Sequence, residues 1–424
     1  MTCRLASHSL LSPHLAANIS MKTLKKLLLS AVLGVAVSAT ASAADFKAGY
    51  GVFQLNGANF YGVGVNYQDA FTRYVQSNGK DVTWKAGLAT LKAYNIPFIR
   101  INAIGFWPDD IQKSYVSNPT LFYSRLDDFM KECAAQNIGV ILDVFWNFPA
   151  FSDMNGEHVP AWGNANSKTR VMMRKITTEM VTRYKDHAAL WGWEFANEAT
   201  ALMDLPASIN NYQWIPRAST APARTAADNF TVDTIMNALA DFTATVRAID
   251  KSHPIFSGND HPRYNAYHLP SKWDQDSPSQ FASILTRDNN VADTVSLHLY
   301  PYGEMAGFGV DAASPSVVAG NFNNIIIAAL TRSRQTDSKG KLIDPRPLFI
   351  GEFGTSDKDL GADVAKTKFY EMTSTIIANR VPLSAVWVFD WAAQEGSYSI
   401  TPTNSRKYQL DRLKEMNTVM RGWK

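Results

Sequence analysis

Residues 190–199 read LWGWEFANEA, a short apolar run that stops on an asparagine and a glutamate. Upstream, Ser167 to Lys185 has the apolar spacing of an amphipathic helix, and Val232 to Ile249 has it again downstream. An apolar run of this length is what a strand buried on both faces looks like, and helices on either side are what bury it. The unit recurs in both directions. Ile96–Ile101, Ile138–Phe145, His253–Ser257, Thr294–Leu299, Pro347–Gly351 and Ser384–Asp390 read as strands. Val82–Tyr94, Leu121–Gln136, Val317–Ser333, Asp363–Ala378 and Tyr408–Met420 read as helices. Tyr50–Leu55 and Ala58–Tyr67, split by Asn56-Gly57, read as a hairpin that runs into the first strand. Eight strands alternating with helices predict an α/β fold closed as a (β/α)8 TIM barrel in a single domain, with an open doubly wound sheet as the alternative. The weakest unit lies between His253 and Thr294, where no strong helix is visible. Long connections follow strands four, five and six, at Glu198–Phe230, Gly258–Asp293 and Pro301–Ser316. All three leave strand C-termini, the barrel face that hosts chemistry.

The chain before the barrel has a different logic. From Met21 it reads MKTLKKLLLSAVLGVAVSATASA: a basic head at Lys22, Lys25 and Lys26, an apolar run from Leu27 to Ala39, and small residues at Ala41-Ser42-Ala43. That is the layout of a secretory signal peptide, its apolar run too short to span a bilayer. The predicted organisation is an upstream extension over 1–20, a signal peptide from Met21 to Ala43, and a barrel domain over 44–424. The destination is secreted or periplasmic, with no membrane association after cleavage. No cysteine follows the apolar run at a lipidation position, and only Cys133 survives cleavage, so stability must come from a large core rather than from disulfides. The whole chain carries a net charge of +3, several of its positive charges lying in the cleaved segment. A near-neutral mature protein gives no steering toward nucleic acid or an acidic polymer. A monomer is expected.

Two carboxylates close apolar runs. Glu198 ends the fourth strand in WGWEFANEA, and Glu352 ends the seventh in PLFIGEFG. Hydrolysis of a glycosidic bond with retention needs a pair of this kind, one carboxyl protonated toward the leaving oxygen and one ionised to attack, about 5 Å apart. The ends of different strands in one barrel are a natural way to set that distance. Either motif alone is weak, since Asn-Glu is a common dipeptide; the two together are much stronger.

With these residues the chain resembles glycoside hydrolase family 5, within the clan of retaining barrel enzymes, from about Gly62 to Trp391. The resemblance implies Glu198 as acid/base and Glu352 as nucleophile. It implies that Arg100, ending strand two, holds the nucleophile ionised, and that Asn197 bonds the sugar 2-hydroxyl. In SLHLYP it implies that Tyr300 bonds the nucleophile and His298 lines the site. In AVWVFDW it places Trp387 beneath the scissile sugar, with Trp391 as the competing choice. A cation beside Glu352 is expected to lower its pKa, while a less compensated site keeps Glu198 protonated. The family's usual histidine at the end of strand three is missing from Asp143-Val144-Phe145-Trp146-Asn147, which weakens a cellulase assignment. FWNFPAFSDMNGEHVPAWG at 145–163 and WEFANE at 193–198 look more like the mannan-degrading branch, although Ala199 replaces the proline that usually follows Asn-Glu there.

Other residues enter as candidates. Glu194 reads as structural, and Asp143 and Asp390 as possible supports for Arg100. His253, His261 and His268 cluster around the fifth strand without metal-ligand spacing, so neither metal nor cofactor is expected. There is no Gly-x-Ser-x-Gly elbow and no phosphate-cradling glycine loop. Trp107, Trp146, Trp162, Trp214 and Trp273 follow strand ends, where aromatic faces either stack on sugars or pack loops. The expected substrate is a β-linked glycan of mannan or glucan type. A transglycosylase and a non-catalytic glycan-binding barrel are the rivals.

Overall fold

The chain enters its fold at the floor of the barrel. In the computed structural model, which describes residues 44–104, 112–205, 211–269, 271–301, 317–334, 337–341 and 346–423, strands β1 (Phe46–Ala48), β2 (Phe53–Leu55) and β3 (Ala58–Phe60) form an antiparallel sheet. The Asn56-Gly57 turn joins β2 to β3 as its sequence predicts, both residues having positive φ. β1 is an addition to the expected hairpin. Its Phe46 ring stacks on Phe53 at 5.3 Å and on Trp191 at 4.4 Å between centroids. Around them close Phe98, Ile141, Phe256, Phe349, Leu383 and Ala385, all from barrel strands. An aromatic stopper therefore seals the N-terminal end of the barrel.

The eight barrel strands are β4 (Gly62–Asn66), β5 (Phe98–Asn102), β6 (Gly139–Asp143), β7 (Leu190–Glu194), β8 (Ile255–Phe256), β9 (Val295–Leu299), β10 (Leu348–Phe353) and β11 (Leu383–Val386). All their pairings are parallel, and the order β8-β7-β6-β5-β4-β11-β10-β9 is chain order wrapped into a circle. The circle is the predicted barrel, and the open doubly wound alternative falls with it. Helices α1 (Gln68–Gln76), α2 (Trp84–Ala93), α3 (Gln112–Ser117), α4 (Pro119–Ala135), α5 (Phe148–Met154), α6 (Lys168–Tyr184), α7 (Val232–Ile249), α8 (Pro278–Asp288), α9 (Val317–Arg334), α10 (Asp357–Leu360), α11 (Ala362–Ala378) and α12 (Lys407–Met420) fill the connections. The last helix is tied to the first barrel strand: the Asn417 carboxamide accepts from the Val63 N–H at 2.8 Å and donates to the Val63 carbonyl at 2.9 Å. Among the described residues no helix is long and apolar enough to cross a membrane.

The fifth unit departs from expectation in an instructive way. β8 has only two residues, and a helix absent from the sequence reading follows it: α8, started by a capping box of Ser277 and Gln280 with Pro278 in its first turn. β8 and β9 share no ladder among the described residues. The seam is fastened instead by the Asp293 N–H on the Ile255 carbonyl (2.9 Å) and by Ile255 N–H on the Asp293 carboxylate (2.7 Å). Asn289 completes it, its Oδ1 accepting from Ser257 Oγ and from the Ser296 N–H. The segments over Met1–Ala43 and 302–316, and hence the signal peptide and most of the sixth connection, lie outside the described residues.

Removing the stopper's central ring by Phe46→Ala should cost about 3–5 kcal/mol, the usual range for a buried phenylalanine, read as a lower urea midpoint. A loss below about 1 kcal/mol would show that the hairpin does not belong to the core.

Candidate active site

At the opposite end of the barrel the interior is ionic. Arg100, third residue of β5, is wholly buried, and its guanidinium faces three carboxylates and two carboxamides. Nε lies 2.9 and 3.0 Å from the two Glu194 oxygens, and Nη2 lies 2.7 Å from Glu194 Oε1, 3.1 Å from Asp143 Oδ2 and 2.8 Å from Asn197 Oδ1. Nη1 reaches Asn66 Oδ1 at 2.9 Å and Glu352 Oε1 at 2.7 Å. Asp143 therefore supports Arg100, and Glu194 is the structural partner expected. Asp390 does not take part: it pairs with Arg73 at 2.7 Å and accepts from Tyr67. Asn66, ending β4, had no sequence signal, yet it also donates to the Gly351 carbonyl at 2.9 Å and so joins Arg100 to the strand that carries Glu352.

Glu352 reaches the interior because β10 is irregular. Its register slips against both neighbours between Ile350 and Phe353. With strict alternation Glu352 would share the outward face of Ile350; a bulge re-aims it inward. Gly351 is required there, since a Cβ would stand 2.7 Å from His298 Nε2. Tyr300 donates to Glu352 Oε2 at 2.6 Å. His298 Nδ1 lies 2.9 Å from Glu198 Oε1 and 3.7 Å from Glu352 Oε1. One oxygen of each carboxylate and one ring nitrogen of His298 thus fall within 4.8 Å of each other, the one such cluster of possible metal ligands among the described residues. Glu198 has a left-handed backbone (φ 50°), an uncommon conformation for a glutamate, pinned where its N–H meets the Gly258 carbonyl at 2.9 Å. Its side chain is 35% exposed, against 5% for Glu352, so water has access to Glu198.

Burial sets the protonation balance. It pushes Glu352 above the usual carboxylate value, and the nearby Glu198 adds to the rise, against the pull of His298, Arg100 and the Tyr300 hydroxyl. This corrects the expectation of a lowered value: the cation is there, but desolvation outweighs it. Asp143 is driven well up, first by burial and then by Glu194. Burial also lowers His298, against the pull of Glu352.

The carboxylates open into a cavity of about 400 Å³ whose walls include Trp146, Phe148, Asn197, Trp214, Trp387 and Tyr398. Trp387 lines it, whereas Trp391 stands behind, edge-on to Trp387 at 5.8 Å. Trp162 is wholly buried and bonds the Phe148 carbonyl, a core residue. Trp273 is exposed and is not among the lining residues. Trp107 lies outside the described residues. Tyr398, edge-on to Tyr300 at 5.9 Å, was not foreseen. The three histidines near the fifth strand do not converge: His253 pairs with Asp250, His261 with Asp260 and His268 with Asp276.

Comparison with known proteins gives this geometry a family. The family model described as "Cellulase (glycosyl hydrolase family 5)" matches residues 56–395. Among solved structures, the chain is similar to an endo-1,4-β-mannanase from Rhizomucor miehei (16% identity, TM-score 0.64, covering 89% of this chain and 99% of that one). It is also similar to an endo-β-1,4-mannanase from Thermotoga petrophila (14%, 0.58, 87% and 78%) and to a glycoside hydrolase family 5 mannosidase from Rhizomucor miehei (13%, 0.59, 90% and 98%). No curated protein sequence matches. The chain belongs to glycosyl hydrolase family 5, and it is a retaining β-glycoside hydrolase.

Proposed function

We propose that the enzyme cleaves a β-1,4-linked mannan-type chain by double displacement, with Glu352 as nucleophile and Glu198 as acid/base. The observation that carries this reading is the 4.8 Å limit on the carboxylate oxygens, each from a different strand end. That spacing suits direct attack on the anomeric carbon, whereas an inverting pair stands about 6.5–9.5 Å apart to admit a water. In the first step Glu352 attacks the anomeric carbon as the glycosidic bond breaks and Glu198 gives its proton to the departing oxygen. In the second, Glu198 takes a proton from water, and the resulting hydroxide displaces Glu352 from the anomeric carbon. Once esterified, Glu352 has no negative charge, so the repulsion that held the proton on Glu198 is gone and the same group can act as base. Arg100 and Tyr300 hold the two Glu352 oxygens. Asn197, fixed by Arg100, is the group assigned to the sugar 2-hydroxyl, and Trp387 and Trp146 offer faces for sugar stacking. None of these steps calls for a metal or cofactor.

The mannan assignment is supported by the 145–163 and 193–198 motifs and by the names of the structural neighbours. Export is part of the same proposal. Cleavage after Ala43 leaves Phe46 in place for the stopper, and N-terminal sequencing of exported protein should read from Ala44.

Purified residues 44–424 should release oligosaccharides from mannan or glucomannan in a panel that also holds mixed-linkage glucan, carboxymethylcellulose, laminarin and xylan. Release from a glucan alone would move the substrate while keeping the chemistry, and silence across the panel from a folded protein would favour the non-catalytic barrel. Glu352→Gln should bring hydrolysis to background. Glu198→Ala should lose about 10²–10⁴-fold and regain part of it with azide on substrates with good leaving groups; wild-type rates in either variant would overturn the roles. Because Glu352 must be ionised, kcat/KM should fall as pH drops through its raised pKa, placing the acid limb above 4.5. Tyr300→Phe removes a donor to the carboxylate, so that limb should move to higher pH; an unmoved or lowered limb would remove Tyr300 from this role.

A further inference from the structure

The segment that leaves β8, Ser257-Gly258-Asn259-Asp260-His261, does not line the cavity, yet it holds the site at two points. It passes so close to the end of β7 that a Cβ on Gly258 would stand 1.8 Å from the Ala196 carbonyl oxygen and 2.6 Å from Glu194 Oε1. With a φ of 71° as well, only glycine fits there. The Gly258 carbonyl takes the Glu198 N–H at 2.9 Å. Two further bonds tie down the stretch after Glu198: Thr200 Oγ1 donates to the Asp260 carbonyl at 3.4 Å, and Arg263 Nε donates to the Ala201 carbonyl at 3.1 Å. Behind them, Asn259 is anchored through its carboxamide N–H on the Asp288 carbonyl at 2.7 Å.

The far end of the segment reaches β9. His261 is buried, and its Nδ1 lies 2.7 Å from Asp260 Oδ1 and 2.9 Å from the His298 carbonyl oxygen. A carbonyl can only accept, so Nδ1 carries a proton. Asp260 Oδ1 also accepts the backbone N–H of His261 at 2.7 Å and so fixes where the imidazole points. The bond to His298 crosses the seam where β8 and β9 share no ladder among the described residues. There the sheet itself does not set His298 against the strand that leads to Glu198. The His298 ring in turn stands 2.9 Å from Glu198 Oε1. A circuit closes: the Glu198 backbone on Gly258, His261 on the His298 carbonyl, and the His298 ring on the Glu198 carboxyl.

We propose that His261, oriented by Asp260, is a positioning residue for proton delivery: its bond across the seam sets the His298 ring against Glu198 and so aims the Glu198 carboxyl at the departing oxygen. It rests on the reading of Glu198 as acid/base. Proton delivery matters most when the leaving group is a poor one, so the test is kcat/KM over aryl β-glycosides from dinitrophenyl to phenyl, made from the sugar released in the polymer panel. His261→Ala should stay within about twofold of wild type on the dinitrophenyl glycoside and fall about 10–100-fold on the phenyl glycoside, in kcat with KM steady. His261→Asn, whose carboxamide N–H can stand where the Nδ1 proton stands, should recover most of that loss. An equal loss across the series, no loss at all, or an Asn variant no better than Ala would overturn the role, thermal melts having shown that both variants fold. Glu198→Ala on the same series keeps the two readings apart: if its own loss does not grow as the leaving group worsens, the acid/base assignment fails. The wild-type enzyme supplies a readout that needs no turnover. Long-range proton–nitrogen NMR spectra of its imidazoles should show His261 protonated at Nδ1, and a proton on Nε2 alone would overturn the proposal whether or not any glycoside is cleaved.

Discussion

A single guanidinium organises this enzyme. Arg100 is buried at the mouth of the barrel, where a bare cation would be strongly disfavoured; burial opposes its charge, and Glu194, Glu352 and Asp143 hold it charged. Each partner comes from a different strand: Asn66 from β4, Asp143 from β6, Glu194 from β7 and Glu352 from β10. The chain has to close into a barrel to bring them together, so forming the fold and assembling the site are one event. Asn197, directly before Glu198, is held by the same guanidinium, and Glu198 and Glu352 are therefore both referenced to one fixed point.

The electrostatic consequence is a site poised rather than relaxed. Three carboxylates around one cation cannot all be ionised cheaply in a dry interior, and the burden falls on Asp143 and Glu352, both pushed upward chiefly by burial. A carboxylate held in this way gains more from losing its charge, as in a neutral ester, than a solvated one would. The Tyr300 hydroxyl and Arg100 work against that rise by favouring the ionised form.

Much of this was legible in the sequence, for a physical reason. Parallel strands covered on both faces must be apolar throughout, so a polar residue that stops such a run stands out; Glu198 and Glu352 were found that way, and Arg100 through the family resemblance. What escaped was whatever depends on tertiary distance. Asn66 and Tyr398 are ordinary residue types with no motif, and only the closed barrel brings them to the carboxylates. β1 is three residues long, too short to show a period, although its Phe46 anchors the floor. α1 follows β4 without a proline or glycine break, and the reading, which ended its strand at Tyr67 and resumed with a helix at Val82, missed it. The sign of the Glu352 shift was missed because a sequence displays a neighbouring arginine but not the depth at which the two are buried.

The seam between β8 and β9 has a meaning beyond closure. A barrel escapes the hazard of an exposed strand edge by leaving none, yet a two-residue strand cannot complete a ladder and would leave backbone groups of β8 and β9 open to pairing with another chain. Here the carboxylate of Asp293 and the carboxamide of Asn289 take those backbone groups themselves. Two side chains thus work as a surrogate strand, guarding against self-association a line along which this barrel could be unzipped.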